Sequence, residues 1–580
     1  MFRVNLYRNI GENIGENIGE NIGENIGENI GENIGESIGE SIGDELEFDV
    51  SRLNESQIKI LKNLKEDKHL KKKEKCMKLD RVMIAAPKSG SGKTTITCAL
   101  LQSLKEQGIP VVSYKCGPDY IDPMFHKEVL GVPSKNLDTF FTGEEETRIL
   151  LKADRTEGEL AVLEGVMGLY DGLGGIREEG SSYHLAKVTG TPIVLVVDAK
   201  GMGKSVLALI AGFLQYDTEK LIRGVILNRM SGAYFQTIKP LIEKELPVAA
   251  LGYVPDQKHL ELKSRHLGLV LPKEQEEVKQ QIRDFAAELQ KNVSIEKIRE
   301  IAAEAVELPE MSKGDSDLRY HLEGFTEEKH VYMESVTDSI IESSDGGRTE
   351  AGELTDNDND NDTDTDAPII AVARDEAFCF YYEDNLRLLE EHGARLRYFS
   401  PLHDSRLPKD CDGILLGGGY PELHLQELEQ NMSIRNEIRA AMERGIPCVA
   451  ECGGFMYLHE AIEDQEGQQY RMAGVLPGIC TNEGKLVRFG YIELQEKKPA
   501  FLPEGTKIRG HEFHYYDSSD NGEDCVAVKP VTGRSYPCVI ETQNRFLGFP
   551  HLYYPSNPGF AENFVKKARD FQTRNRNRKR

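Results

Sequence analysis

Ile84-Ala-Ala-Pro-Lys-Ser-Gly-Ser-Gly-Lys-Thr-Thr95 decides the fold, because a short apolar run, Val82–Ala86, feeds a glycine-rich loop that opens a helix. A strand, loop and helix in this order form a phosphate cradle. Gly90 and Gly92 leave the backbone free to wrap an anion with several N–H groups turned inward. Lys93 is expected to reach the terminal phosphates and Thr94 to offer its hydroxyl to Mg2+, with Lys88, Ser89, Ser91 and Thr95 completing the loop. The spacing departs from the usual pattern, since Pro87 stands where the first glycine normally does.

Further apolar runs follow at Val111–Tyr114, Leu160–Leu163, Ile193–Val197, Gly224–Leu227 and Leu251–Pro255, alternating with helical stretches. This alternation predicts an α/β domain with a parallel sheet covered on both faces. Ligands of such sheets lie beyond the carboxyl ends of the strands, so the turns there carry the chemistry. The turn Lys115-Cys-Gly-Pro-Asp-Tyr-Ile-Asp-Pro123 holds two carboxylates, Asp119 and Asp122, able to bind magnesium, orient a nucleophile or cap the next helix. For Asp122 alone, capping is the preferred reading. In Glu164-Gly-Val-Met-Gly-Leu-Tyr-Asp-Gly172 an acid directly follows a strand, where P-loop enzymes hold their metal. Glu164 is therefore the better ligand candidate, and Asp171 can join the same cluster.

A second α/β segment opens at Pro368. Ile414-Leu-Leu-Gly-Gly-Gly-Tyr-Pro-Glu422 is an apolar strand ending in Gly417, Gly418 and Gly419, whose backbone N–H groups can converge on an oxyanion. Ile446-Pro-Cys-Val-Ala-Glu-Cys-Gly-Gly-Phe455 repeats the strand and turn, with Cys452 at the turn in the manner of a nucleophile elbow. Cys448 lies inside the strand and is expected to pack. A cysteine nucleophile needs a base, and His511, His514 and His551 compete for that role without sequence spacing choosing among them.

The 580 residues allow two or three domains. Residues 1–50, built largely on repeats of Asn-Ile-Gly-Glu, are expected to be disordered, and 51–79 to form a charged leader helix. The P-loop domain is assigned to 80–310, an acidic flexible linker to 311–367, the second domain to 368–566 and a basic tail to 567–580. A net charge of −26 argues against nucleic-acid binding and requires a local basic patch for any anionic substrate. Ten cysteines without a C-x-x-C pair predict a reducing, cytoplasmic setting with neither a disulfide frame nor a zinc site. The absence of an apolar run of about 18 residues predicts no membrane span.

Taken together, Ala-Pro-Lys-Ser-Gly-Ser-Gly-Lys-Thr-Thr, Lys-Cys-Gly-Pro-Asp-Tyr-Ile-Asp-Pro, Leu-Glu-Gly-Val-Met-Gly-Leu-Tyr-Asp-Gly, Gly-Gly-Gly-Tyr-Pro-Glu and Glu-Cys-Gly-Gly-Phe-Met-Tyr-Leu resemble the cobyrinic acid a,c-diamide synthase family. That family includes the hydrogenobyrinate and nickel-sirohydrochlorin a,c-diamide synthases. The resemblance covers 81–272 and 368–565. It implies a dethiobiotin-synthetase-like P-loop ATP domain followed by a class I glutaminase-like domain, with ATP, glutamine and a tetrapyrrole polycarboxylate as substrates and Mg2+ as cofactor. By residue matching it implies Cys452 as nucleophile and His551 as its base, although Tyr553 replaces the second histidine of the family's His-x-His. It likewise implies Asp119, Tyr120, Glu164 and Asp171 at substrate or metal positions. The rival reading is an ATP-driven switch of the MinD or ParA kind, supported by Lys88, for which an elbow cysteine has no use. A homodimer is compatible with either, with no residue that decides it.

Overall fold

The computed structural model describes residues 78–153, 158–256, 272–308 and 366–579, all within one compact unit. The repeat 1–50, all but the end of the leader helix and nearly all of the linker lie outside the described residues.

The first lobe is built on seven parallel strands: β1 Arg81–Ala85, β2 Val111–Cys116, β3 Ser134–Leu137, β4 Leu160–Glu164, β5 Ile193–Asp198, β6 Ile222–Asn228 and β7 Ala249–Val254. Their order is β3-β2-β4-β1-β5-β6-β7. Helices cover both faces, so the residues of β1, β2 and β4 are buried throughout, which is why these strands read as continuous apolar runs and not as alternating ones. Burying side chains such as Val82, Ile84 and Val162 stabilises the sheet by roughly 1.5–3 kcal/mol each. The register sets Ile84 and Lys115 on either side of Glu164. The turns after β1, β2 and β4 therefore share one rim.

β3 is absent from the sequence expectation because Ser-Lys-Asn-Leu carries no apolar run. It is an edge strand held by polar contacts: Ser113 Oγ donates to Ser134 Oγ at 2.7 Å, and Asn136 Nδ2 donates to the carbonyls of Gly117 and Asp119 at 2.9 and 2.8 Å. Asn136 thus fixes the turn after β2.

The second lobe contains β8 Ile369–Ala373, β9 Arg395–Phe399, β10 Gly413–Leu416 and β11 Cys448–Glu451. With strands Ile540–Thr542 and Arg545–Gly548 they make a six-stranded sheet in which β10 and β11 are parallel neighbours. Leu416 pairs with Ala450, so the glycine turn after β10 and the cysteine turn after β11 leave the sheet side by side. A five-stranded antiparallel sheet stands beside it, where strand Lys507–His514 pairs with His551–Leu552 and sets His511 against His551.

The segment expected as a basic tail continues the helix Gly559–Lys579. Phe560, Phe564, Ala568 and Phe571 are buried along it, and Gln572 donates to Asp412 Oδ2 at 3.1 Å. Apolar residues at helical spacing outweigh the basic composition there. Among the described residues no helix is long and apolar enough to cross a membrane.

Candidate active site

The P-loop runs from β1 into helix α1, Lys93–Glu106. Gly90 and Gly92 have φ of 74° and 95°, in the left-handed region that favours glycine. At Gly92 a Cβ would also stand 2.4 Å from Asn228 Nδ2, whose amide donates to Ser91 O at 2.8 Å. Lys88, Ser89 and Gly90 are exposed at the loop's crest, open to a phosphate. Lys93 Nζ donates to Met167 O on the turn after β4, and Leu169 N to Ala86 O, so the two turns are laced together.

Below the loop lies a carboxylate cluster. Thr94 Oγ1 donates to Glu164 Oε1 at 2.5 Å and stands 3.5 Å from Asp122 Oδ2. Lys115 Nζ bonds both Asp122 Oδ2 and Glu164 Oε1, and lies 4.0 Å from Asp119 Oδ2. Burial alone would lower the Lys115 pKa, but Glu164, Asp122 and Asp119 outweigh it and hold the ammonium charged. Burial pushes Asp122 up while Lys115 pulls it below the usual range, to about 2. Glu164 is raised to about 7 by burial and by Asp122.

The geometry exchanges the roles expected of the two aspartates. Asp119 Oδ1 accepts from the N–H groups of Ile121 and Asp122 at 2.8 and 3.3 Å, capping helix α2, Ile121–Glu128. Asp122, expected as the cap, belongs to the cluster with Thr94 and Glu164. Asp171 accepts from Gly168 N at 3.0 Å and faces the cavity described below, apart from the cluster. The cluster's donors are all oxygen, and Glu164 Oε2 is buried without a hydrogen-bond partner. That set suits a hard cation such as magnesium. Among the described residues no three His, Cys, Asp or Glu side chains form a metal-holding cluster. His126 was not foreseen: its Nε2 lies 3.5 Å from Glu164 Oε2, while its Nδ1 bonds Ser113 Oγ at 2.9 Å.

In the second lobe Cys452 has φ 47° and ψ −105°, a strained conformation for a residue with a side chain, and caps helix Gly453–Tyr457. Its N–H donates to Gly548 O at 2.9 Å, and Gly454 N donates to Gly417 O at 3.0 Å. Gly417 spends its own N–H on Tyr381 Oη at 2.8 Å, which removes it from the oxyanion donors expected of the glycine turn, and Gly418 forms an antiparallel bridge with Phe380. A Cβ on Gly418 would stand 2.3 Å from His551 Cε1. Burial raises the Cys452 thiol above its ordinary range, with Glu422 and Glu451 adding to it, so the thiol needs a base to ionise.

Three histidines compete for that task. His514 stacks on Phe549 at 4.1 Å and its Nδ1 bonds Tyr516 O at 2.6 Å, a structural position. His511 bonds Tyr382 Oη at 3.2 Å and stacks on His551 at 5.0 Å. His551 adjoins the glycine turn, and its Nδ1, without a hydrogen bond, lies 3.9 Å from Glu451 Oε2. Burial lowers His551 to about 3 and raises Glu451 to about 8, so both are neutral near pH 7. Tyr553 stacks on Phe141 of the first lobe at 5.0 Å and donates to Asp384 Oδ2 at 2.9 Å; it packs between the lobes. Glu451 escaped the sequence reading because an acid ending a strand carries no mark of which neighbour it faces.

The two sites abut. Tyr120, next to Asp119, stacks on Phe380 at 5.0 Å and reaches within 5.3 Å of the His551 ring. A cavity of about 1360 Å³ opens here, lined by Asp119, Tyr120 and Asp171 from one lobe and by Arg488, His511 and His551 from the other.

Residues 82–270 match the family described as the CobQ/CobB/MinD/ParA nucleotide binding domain, and 369–549 match the CobB/CobQ-like glutamine amidotransferase domain. Among curated proteins, the cobyrinate a,c-diamide synthase of Fusobacterium nucleatum is 36% identical over 485 residues, covering 83% of this chain and 98% of that protein. The synthase of the same name from Clostridium tetani is 38% identical over 434 residues, 75% of this chain and 86% of the other. That of Salmonella typhimurium is 35% identical over 493 residues, 84% and 98% respectively. The likeness runs through both lobes, whereas a MinD- or ParA-like switch would account for the first alone.

Proposed function

The chain belongs to the cobyrinate a,c-diamide synthase family, a glutamine-dependent amidating ligase of cobalamin synthesis, and from that premise we propose that it amidates the a and c carboxylates of cobyrinic acid at the expense of ATP. One observation carries this reading: the phosphate-loop lobe and the cysteine lobe line a common cavity, with Asp119 and Tyr120 facing His511 and His551.

A substrate carboxylate attacks the γ-phosphorus of ATP, ADP leaves, and an acyl phosphate remains. Lys93, Lys88 and the N–H groups of the loop hold the phosphates and stabilise charge on the transferring group. Thr94, Glu164 and Asp122 would hold Mg2+, which when bound supplies charge neutralisation at the phosphates. Lys115 keeps the two carboxylates converged, while the outer oxygen of Asp119, Tyr120 and Asp171 face the macrocycle. In the second lobe His551 takes the proton of Cys452, and the thiolate attacks the glutamine side-chain amide. Gly418 and Gly419 receive the oxyanion. His551 returns the proton to the amide nitrogen as the C–N bond breaks, and water then hydrolyses the γ-glutamyl thioester to glutamate and free Cys452. The ammonia released passes Tyr120, attacks the acyl phosphate and displaces inorganic phosphate. Two rounds give the diamide. Offering cobyrinic acid, hydrogenobyrinic acid and nickel-sirohydrochlorin in parallel, with diamides read by mass spectrometry, tests the choice of substrate; conversion of nickel-sirohydrochlorin alone would move the reading to the nickel tetrapyrrole.

Glu451 completes the reading as a positioning residue for His551. Above pH 8, Glu451→Gln is expected to lower glutaminase kcat by about 10-fold to 100-fold, less than the roughly 10²–10⁴-fold of the general base itself because Glu451 acts through His551. The pH profile separates positioning from folding. As pH rises through about 8, Glu451 loses its proton and sets an anion 3.9 Å from His551 Nδ1, raising the basicity of the ring. Wild-type glutaminase activity should therefore rise through that pH and the variant's should not; parallel profiles would remove Glu451 from the mechanism.

A further inference from the structure

A chain of net charge −26 repels a polycarboxylate, so the substrate must meet positive charge where it binds. None of the residues expected at the substrate position supplies it, since Asp119 and Asp171 are acids and Tyr120 is neutral. We propose that Arg488, with Lys529 and Arg534, forms a wall that anchors the macrocycle's peripheral carboxylates while another is presented for amidation. This rests on the reading that the substrate is a tetrapyrrole polycarboxylate.

All three residues line the cavity of about 1360 Å³, and all three come from the antiparallel sheet of the second lobe and its hairpin. Arg488 opens strand Arg488–Glu496, with its guanidinium carbon 3.9 Å above the Tyr536 ring. Tyr536 Oη is in turn held by the buried Glu512 carboxylate. Stacking fixes the guanidinium plane, yet Arg488 Nη1 is buried with no hydrogen-bond partner. Arg488 lines the cavity with its plane held in place, and the planar fork of arginine suits a carboxylate. Lys529 Nζ donates to Phe489 O at 2.8 Å and lies 3.7 Å from Glu512, so that its charge is fixed at the wall, while Arg534 is exposed at the hairpin.

The same sheet supplies a surface for the ring. Phe489 and Phe513 are 61% and 51% exposed, line the cavity and meet edge-to-face at 5.7 Å. Large apolar side chains exposed beside a row of cations match a ligand that is flat and apolar at its centre and anionic at its rim.

The test uses the full chain with Arg488→Gln, Arg488→Lys and Arg534→Gln, titrating cobyrinic acid by absorbance and measuring KM and kcat for its amidation. Arg488→Gln should weaken binding and raise KM for the macrocycle by about 10-fold to 100-fold, the range for a lost charge-assisted carboxylate contact, with the effect on kcat much smaller. Arg488→Lys should fall between, because the charge stays and the fork goes. Arg534→Gln, at an exposed position where folding is not at stake, should weaken binding less and flatten its dependence on salt. Wild-type affinity in all three variants, or a loss confined to kcat, would overturn the anchoring wall. A wild-type protein that binds cobyrinic acid without amidating it would defeat the proposed reaction and leave the binding comparison decisive for the wall. Failure of the wild type to bind either cobyrinic acid or nickel-sirohydrochlorin would overturn both.

Discussion

Cys452→Ala is expected to abolish glutamine-dependent amidation, by about 10⁴-fold or more, while synthesis from free ammonia persists. The substitution removes the only sulfur at the elbow after β11 and leaves its surroundings in being. The backbone there, at φ 47°, is as costly for alanine as for cysteine, so the fold loses little. What is lost is the thioester route by which glutamine surrenders its nitrogen. Ammonia supplied at high concentration enters downstream of that step. The P-loop, the carboxylate cluster around Lys115 and the cavity contain no atom of Cys452, so under the proposed reaction they should still activate a carboxylate and accept the nitrogen. Product analysis with each nitrogen source, on protein shown to be folded by circular dichroism, decides the matter. Loss of both activities together in a folded variant would defeat the division of labour between the lobes.

Lys93→Ala should fail with either nitrogen source, by about 10³-fold, the scale seen when a cation that stabilises a transferring phosphoryl group is removed. Lys93 begins α1 and bonds Met167 O across the rim. Alanine is a good helix former at that position, and the contacts of Asn228 with Ser91 and of Leu169 with Ala86 hold the loop without the lysine. Glutamine hydrolysis should continue in this variant, since the proposed nucleophile Cys452 and base His551 both lie in the other lobe. The contrast between the two substitutions is therefore informative as a pair: one uncouples the nitrogen source and the other the energy source. Amidation that survives Lys93→Ala would make the glycine-rich loop a structural turn.

The P-loop and the elbow were legible in the sequence for a common physical reason. Strands buried on both faces must be continuously apolar, so β1, β4, β10 and β11 announce themselves, and the polar residues that break each run stand at the rim where ligands bind. β3 could not be read that way, because an edge strand satisfied by Ser113, Ser134 and Asn136 needs little apolar surface. Asp119 and Asp122 were both recognised, but their roles depend on which of them the first turn of α2 aims at Lys115, and loop spacing does not carry that direction. Gly417 was grouped with its neighbours as an oxyanion donor, and only the approach of Tyr381, from the first segment of the second lobe, reveals that its N–H is taken.

The remaining parts of the site depend on pairing between distant segments. His511 meets His551 through an antiparallel register. Arg488 and Lys529 converge because strand Arg488–Glu496 pairs with Cys525–Val528. The chain's acidity asks for a local basic patch wherever an anionic substrate binds, and the residues proposed for it sit at unremarkable strand and hairpin positions.

The central claim is that two lobes act in one reaction, moving glutamine nitrogen onto a carboxylate that ATP has activated. Its most direct test is to incubate the purified chain with cobyrinic acid, magnesium-ATP and glutamine labelled with ¹⁵N at the side-chain amide, and to follow the corrinoid by mass spectrometry together with ADP and phosphate. The account predicts a diamide carrying the label in both new amides, with one ATP converted to ADP and phosphate for each amide formed. Hydrolysis of glutamine and of ATP without any label in the corrinoid would contradict it.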